Sequence, residues 1–130
     1  MKIVNSTPPN IDQIKEKFPL SGNEIFAFGD IIFNPGGFDI PAWLVAHEEV
    51  HQKQQGDDVE GWWGRYLVDA EFRYQMEFEA HLREYKSYCY HVKDRNAQTR
   101  YLTTVARKLA APLYGNMVSV SEAKRRIKNG

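Results

Sequence analysis

The chain has 130 residues but only one cysteine, no net charge and no long apolar run. The single cysteine, Cys89, forms no intrachain disulfide and excludes a multi-cysteine zinc cage, so any metal site must consist of His, Asp and Glu side chains. No apolar stretch approaches the roughly 20 residues of a membrane span, and the N-terminus lacks an apolar segment of signal-peptide length. We therefore expect a cytoplasmic protein with no membrane partner.

The formal charges cancel because 17 Lys and Arg residues balance 17 Asp and Glu residues. Proteins that bind nucleic acid gain much of their affinity from phosphate neutralisation, so a balanced chain does not favour nucleic acid as a partner. A basic cluster, Lys124–Arg126 with Lys128, lies near the end of a predicted helix, where cations interact favourably with the helix dipole. We interpret this cluster as a stabilising feature of that helix. The alternative is that the cluster contacts phosphate, and nucleic-acid binding through this C-terminal helix would then show a salt-sensitive affinity.

Length, turn residues and apolar periodicity predict one mainly helical α+β domain over residues 1–130. A proline pair excludes a helix within residues 1–9, which are expected to be extended. The β-prone segments Glu24–Phe28 and Ile31–Phe33 flank Gly29 and Asp30, and they predict a tight hairpin.

Helices are predicted where capping residues precede an apolar period of 3.6 residues. Pro41 marks the start of one helix and Gly56 its end. Asp69 caps a longer helix that carries apolar side chains on two sides. Gly61 and Gly64 disfavour a regular helix in the apolar stretch between these two. The expected helices cover about residues 11–17, 41–55, 70–91, 96–111 and 120–128.

Residues 47–51 read His-Glu-Glu-Val-His, the H-E-x-x-H pattern, inside the helix that begins at Pro41. Positions i and i+4 lie one turn apart on the same helix face, so His47 and His51 can bind one Zn²⁺ ion. Glu48 projects beside the metal rather than onto it, where it can accept a proton from a water molecule that zinc activates. The pattern also occurs by chance, and the two histidines are then solvated or hydrogen-bonded on a structural helix.

A catalytic zinc ion needs a third protein ligand. The H-E-x-x-H segment resembles the gluzincin type of metallopeptidase, in which a glutamate on a second helix completes the site and commonly opens an E-x-x-A-D pattern. Residues 77–81 read Glu-Phe-Glu-Ala-His, so the resemblance implies Glu77 as the third ligand. The final Asp of the family pattern is replaced by His81, which puts the group that supports a ligand histidine in doubt.

Helical periodicity alone leaves two candidates for the third ligand. Glu77 lies at the edge of the apolar face of its helix, whereas Glu71 lies nearer the centre of that face. A buried acid needs a partner, so Glu71 competes with Glu77 for the role. Glu79 lies on the opposite side of the helix from both.

A longer stretch, about residues 25–128, resembles small uncharacterised H-E-x-x-H proteins of phages and prophages. The likeness is carried by the segments HEEVHQKQQGDD, GWWGRYL, EFRYQMEFEA, LYGN and EAKRRI. The resemblance implies a phage origin and a compact peptidase-like fold, without a particular substrate. We expect a minimal zincin-like core with a short β-hairpin before the H-E-x-x-H helix.

Peptide hydrolysis also needs a donor for the developing oxyanion, and no spacing in the sequence fixes that donor. His81 and Tyr74 are the candidates, with Tyr66 and Tyr85 as further tyrosines of the same region. In zincins an edge strand beside the active site pairs with the substrate backbone, and the resemblance makes Ile31–Phe33 the corresponding candidate here. Apart from the resemblance, an ordinary core strand is the favoured interpretation of this segment.

Together these features predict a zinc-dependent hydrolase, a metallopeptidase that acts on a peptide or protein substrate. His47, His51 and Glu77 are the expected metal ligands, and Glu48 is the expected general base. The alternative is a non-catalytic zinc protein, for example a virion or effector component that uses the fold as an interaction module. Glu48 separates the two hypotheses, because only the hydrolase needs its carboxylate.

Overall fold

The strands form one small mixed sheet. The computed structural model describes residues 2–130, so Met1 of the predicted extended segment lies outside the described residues. Strands β1 (Lys2–Val4), β2 (Phe26–Phe28) and β3 (Ile31–Phe33) are arranged in the order β1-β3-β2. β1 runs parallel to β3, whereas β2 runs antiparallel to it. Gly29, at φ +63°, occupies the first central position of the hairpin turn, where a positive φ favours glycine. The predicted hairpin is therefore confirmed, and β1 adds a third strand to it.

Helices account for most of the remaining chain, and the predicted mainly helical α+β class is confirmed. Within residues 2–130 none of them combines the length and the apolar character needed to cross a bilayer. A single 3₁₀ turn at Pro112–Tyr114 lies between the last two helices. The helices are α1 (Ile11–Lys17), α2 (Ala42–Gln55), α3 (Val59–Val68), α4 (Ala70–His91), α5 (Arg95–Leu109) and α6 (Val120–Asn129).

Capping residues set the ends of the helices that carry the candidate site. α2 follows Pro41, and Gly56 ends it at φ +54°, a conformation that strains a residue with a side chain. The Asp69 carboxylate accepts the backbone N–H of Phe72 and so begins α4. Ser119 caps α6 in the same way.

Helix α3 forms although Gly61 and Gly64 disfavour a helix in this part of the sequence. The Asp58 carboxylate caps α3 by accepting the N–H of Gly61, and a Cβ at this position would collide with that carboxylate. The helix buries four large side chains on one side, those of Trp62, Trp63, Tyr66 and Leu67. Their burial stabilises the helix by more than the roughly 1 kcal/mol that each glycine costs relative to alanine.

Two apolar clusters lie on different sides of the molecule. The sheet cluster joins α1, α3 and the strands through Ile14, Phe26, Phe33, Trp62, Trp63, Tyr66 and Leu67. The helical cluster joins α4, α5 and α6 through Tyr74, Leu102, Val105, Ala106, Leu109, Tyr114, Val118, Ala123 and Ile127. Helix α2 packs along α4. The layer between α2 and α4 contains buried polar side chains, and the candidate site lies there.

Candidate metal centre

The two histidines of α2 and one glutamate of α4 meet in the layer between these helices. The Nε2 atoms of His47 and His51 lie 3.2 Å apart, as expected for ligands one helical turn apart. One Glu77 oxygen lies 3.1 Å from His47 Nε2, and the other lies 3.2 Å from His51 Nε2. All three side chains are buried, at 5–7% exposure.

Hydrogen bonds on the far side of each ring determine which nitrogen carries the proton. His47 Nδ1 lies 2.7 Å from a Glu84 carboxylate oxygen, so this nitrogen must donate. His51 Nδ1 lies 2.8 Å from Gln54 Oε1, and the Gln54 amide is oriented because its Nε2 donates to the Met76 carbonyl. Both neutral imidazoles therefore present the Nε2 lone pair to the shared space.

Two lone pairs and a carboxylate that face one another repel unless a cation or protons lie between them. The separations of 3.1–3.2 Å between these atoms are close to the ~3.3 Å expected between ligands of a tetrahedral zinc ion. Two imidazole nitrogens and one carboxylate oxygen also form a common ligand set of catalytic zinc. The residues present, namely His47, His51 and Glu77, therefore fit Zn²⁺.

Without a metal, protons provide the positive charge of this cluster. Burial disfavours a charged imidazole, but the hydrogen bonds to Glu77 and Glu84 outweigh it and hold the pKa of His47 well above its ordinary value. The pKa of His51 is also raised, against burial, chiefly by the Glu77 charge. The same interactions overcome burial at Glu77 and hold the pKa of its carboxyl well below the usual range. Protons and a metal ion therefore compete for the same atoms.

Glu48 lies beside the three donors rather than among them. Its nearest carboxylate oxygen is 3.7 Å from His47 Nε2, and its side chain lines the adjacent cavity. Burial raises the pKa of Glu48 above its ordinary value, despite the two neighbouring histidines. A raised pKa suits a carboxylate that takes and returns protons near neutral pH.

Glu84 is the centre of a second polar group that supports the first. One of its oxygens accepts hydrogen bonds from His47 Nδ1 and from His81 Nδ1, the latter at 3.0 Å. The other oxygen accepts the hydroxyl of Tyr101 from α5 at 2.5 Å. At 1% exposure, Glu84 is among the most buried side chains of the protein. Glu84 therefore provides a carboxylate partner for His47.

Tyr66 of α3 holds the Glu77 oxygen that lies near His51. Its hydroxyl donates to that carboxylate at 2.6 Å. The Arg73 guanidinium donates in turn to the backbone carbonyls of Tyr66 and Leu113, which connects α3 and the 3₁₀ turn to α4. Glu77 is thus held by a buried hydroxyl before any metal binds.

A cavity of about 490 Å³ opens beside these groups. Its floor contains His47, Glu48, His51, Glu77 and His81. Its walls are largely apolar and come from the sheet cluster and the neighbouring loops; they include Phe18, Leu20, Phe26, Phe38, Leu44, Trp62, Leu113 and Tyr114. The three candidate metal ligands, His47, His51 and Glu77, therefore lie at the bottom of a cleft and not in a sealed core.

The structure separates the predicted site residues into those it brings together and those it does not. Glu71 is exposed, whereas Glu77 is buried with one oxygen near each of the two histidines. Tyr74 packs in the helical cluster, and its hydroxyl accepts a hydrogen bond from Arg126, so it lies away from the donors. Tyr66 occupies the place beside Glu77 instead.

Ile31–Phe33 is not the edge strand that the zincin resemblance suggested, and the alternative, an ordinary core strand, is confirmed. β3 pairs with β1 on one side and with β2 on the other, so its backbone is not free. The strand next to α2 is β2, and the carbonyl of its central residue, Ala27, accepts side-chain donors from Gln55 at 2.8 Å and Trp63 at 3.1 Å.

Sequence reasoning missed Glu84, Gln54 and Tyr101 as supporting residues. One signal was present, because Glu77, His81 and Glu84 are spaced by four and then three residues. This spacing places polar side chains in one row along a helix, and such a row on a buried helix indicates a polar partner.

Comparisons with known proteins assign no family or function to the chain. No protein-family model, curated protein or solved structure matches the chain. The interpretation of the site therefore depends on its own atoms and on their chemistry.

Proposed function

We propose that the protein is a zinc-dependent hydrolase, most simply a metallopeptidase. The observation that carries this proposal is the convergence of His47 Nε2, His51 Nε2 and the Glu77 carboxylate at the floor of an open cleft, with Glu48 beside them. When bound, Zn²⁺ polarises a carbonyl and lowers the pKa of water toward neutrality.

The protein side chains divide the remaining work. Glu48 is the general base, because its carboxylate faces the cavity and burial raises its pKa. Glu84 and Gln54 hold the two imidazole rings by their Nδ1–H groups. Tyr66 holds Glu77 in position. Each of these contacts restricts a ligand to one orientation, which increases metal affinity.

His81 is better suited to accept a hydrogen bond than to stabilise an oxyanion. Burial lowers the pKa of His81, so its ring is neutral at pH 7. Its Nδ1–H is donated to Glu84, which leaves Nε2 as an acceptor 3.8 Å from a Glu77 oxygen. We therefore assign His81 a supporting role in the polar layer between α2 and α4. A hydrogen-bond donor on the cavity wall would then stabilise the oxyanion.

The cavity walls favour a peptide with a bulky apolar side chain next to the scissile bond. A volume of about 490 Å³ is within the range of small-ligand pockets, roughly 300–1,000 Å³, and it accommodates one large side chain with its backbone. The aromatic wall formed by Phe18, Phe26 and Trp62 supplies the apolar contacts.

The decisive experiment compares Glu48→Gln with Glu49→Gln. Both positions lie in α2, but Glu49 is exposed, so it controls for loss of a charge on this helix. We expect stoichiometric zinc in both variants by elemental analysis. Hydrolysis of a mixed-sequence peptide library, followed by mass spectrometry, should fall by at least about 10³-fold in Glu48→Gln alone.

Two results would overturn the proposal in different ways. Purified protein that takes up no stoichiometric zinc, or takes it up equally well in His47→Ala, contradicts the metal centre itself. Zinc-loaded protein that cleaves no member of the library, with Glu48→Gln indistinguishable from the original, supports the non-catalytic zinc protein instead.

A further inference from the structure

The zero net charge of the chain is the sum of two halves of opposite sign. Residues 95–130 contain eight Lys and Arg side chains and one acidic side chain, Glu122, so their net charge is +7. Residues 1–94 contain nine basic and sixteen acidic side chains, so their net charge is −7. The boundary coincides with the start of α5. Total charge therefore conceals a strong separation between the last two helices and the rest of the molecule.

The basic residues of α5 and α6 lie on the solvent side of these helices. Both helices pack against each other and against α4, and they bury small and aliphatic residues there. On a helix with 3.6 residues per turn, the opposite side of α5 carries Arg100, Thr104 and Arg107. We define the basic face as five exposed side chains: Arg100, Arg107, Lys108, Arg125 and Lys128.

The charges of the basic face are not neutralised within the protein. Among the residues that the structure describes, the ion pair within α5 and α6 joins Arg126 to Glu122 at 2.6 Å. Arg126 also donates to Tyr74, so it belongs to the helical cluster rather than to the basic face. No carboxylate of residues 2–130 lies within 4.0 Å of the five side chains that define the face.

The chemistry of the basic face fits a phosphate backbone better than an apolar partner. The exposed large hydrophobic side chains of residues 2–130 all lie outside α5 and α6, so this face has no apolar anchor for a bilayer or a hydrophobic groove. Three of its five charges are arginines, whose planar guanidinium groups suit phosphate oxygens. The negative remainder of the protein would face away from a polyanion, which orients the protein during encounter.

We propose that the basic face binds the sugar–phosphate backbone of nucleic acid without reading its base sequence. Lys108 also lines the rim of the cavity, so the bound strand lies next to the opening of the candidate metal centre. This inference stands on charge and exposure alone, and it holds whether or not the metal centre is catalytic.

The test measures fluorescence anisotropy of a labelled 20-base-pair DNA duplex of mixed sequence with the full chain. If five phosphates are neutralised, log affinity falls against log salt with a slope of about −4 to −5, or about 500-fold between 50 and 200 mM KCl. Replacing the five residues of the basic face by Gln should weaken binding by at least about 100-fold at the lower salt concentration and flatten the slope.

A matched variant removes five charges elsewhere and should keep the affinity within about 3-fold. If the variant with all five residues of the basic face replaced fails to fold, the loss of its thermal unfolding transition reveals it. In that case a smaller variant, with Gln at the three α5 positions only, keeps the test informative. It should show an intermediate affinity and slope. The matched positions are exposed lysines outside α5 and α6: Lys2, Lys15, Lys17, Lys53 and Lys86.

Four outcomes contradict the proposal. The original protein fails to bind the duplex at 50 mM KCl, or the matched variant loses as much affinity as the variant of the basic face. Poly-L-glutamate of equal charge displaces the duplex at the concentration at which unlabelled duplex does, which indicates an acidic protein partner. Vesicles of phosphatidylserine and phosphatidylcholine bind the protein when the duplex does not, which indicates a membrane surface.

Discussion

The two long sides of α4 differ in what they bury. The side that faces α5 and α6 contributes Tyr74, together with the half-buried Phe78 and Leu82, to the helical cluster. The side that faces α2 buries Glu77, His81 and Glu84. Apolar burial stabilises a fold at about 25 cal/mol per Å², whereas buried charges cost free energy unless each has a partner. One helix thus has an apolar side whose burial stabilises the fold and a polar side that buries ionisable groups.

The comparison also explains why the polar side tolerates so many ionisable groups. The two imidazole rings of α2 have defined partners on their far sides, Glu84 for His47 and Gln54 for His51. The Nε2 atoms of these rings and the Glu77 carboxylate converge on a single point. Ionisable groups that are held from outside and converge on one point are the arrangement expected for a ligand site.

The largest expected effect tests the apolar side. Leu109→Ala removes a side chain with no solvent exposure from the helical cluster, and it should lower the free energy of unfolding by about 2–5 kcal/mol. Urea denaturation measures this loss. Zinc affinity of the folded protein should stay unchanged, because Leu109 belongs to the helical cluster and not to the set of metal-ligand candidates.

The exposed neighbour Arg107 provides the control for this change. Arg107→Ala should alter stability by less than about 0.5 kcal/mol, since it leaves no cavity. A loss of zinc affinity in Leu109→Ala that matches the loss of stability would show that the two sides of α4 are not separable.

The next effect tests the polar side. Glu84→Gln removes the charge that accepts the Nδ1–H groups of His47 and His81, and it should weaken zinc binding by about 10- to 100-fold. Competition with a chromogenic chelator measures the affinity. Glu71→Gln, an exposed change on the same helix, should leave it unaltered. Equal affinities for both variants would contradict the supporting role of Glu84.

The smallest effect concerns pH in metal-free protein. The pKa of His47 is raised, so its contribution to stability is complete below its unfolded value near 6.5 and is lost as the pH rises through the folded pKa. The pKa of Glu77 is depressed, so its contribution is present above about 4.5 and is lost as the pH falls through the folded pKa. Maximal stability is therefore expected between these limits.

Thermal unfolding after EDTA treatment checks this dependence. Tm should pass through a maximum near pH 5–6.5 and decrease above it, by roughly 3–5 °C for each kcal/mol lost in a domain of this size. Saturating zinc should remove the decrease, because the metal replaces the protons of the histidines. A Tm that rises steadily from pH 6 to 8 in metal-free protein would contradict the proton-filled cluster.

Local patterns predicted the parts of the site that depend on one helix. The spacing of His47, Glu48 and His51, the end of α2 at Gly56 and the cap of α4 at Asp69 all follow from nearby residues. The choice between Glu77 and Glu71 depended on how α4 is rotated against α2, and periodicity in α4 favours no single rotation because it is apolar on two sides.

Two of the supporting contacts that sequence reasoning could not place act between elements. Tyr101 reaches Glu84 from α5, and Tyr66 reaches Glu77 from α3. Tyr74 was expected near the site because it belongs to the same helix, but it lies on the side that packs against α6. Contacts of this kind depend on the packing of several helices, which no short pattern encodes.

The Ala27 carbonyl, with its two side-chain donors, has a consequence for self-association. An exposed edge strand offers free N–H and C=O groups on which another chain can build. Gln55 and Trp63 occupy the central acceptor of β2, and Gln55 also accepts the N–H of Gly29 at 2.8 Å. The last turn of the helix that carries the H-E-x-x-H residues therefore hinders the growth of an intermolecular strand ladder at the β2 edge of the sheet, and β1 is the edge on the other side.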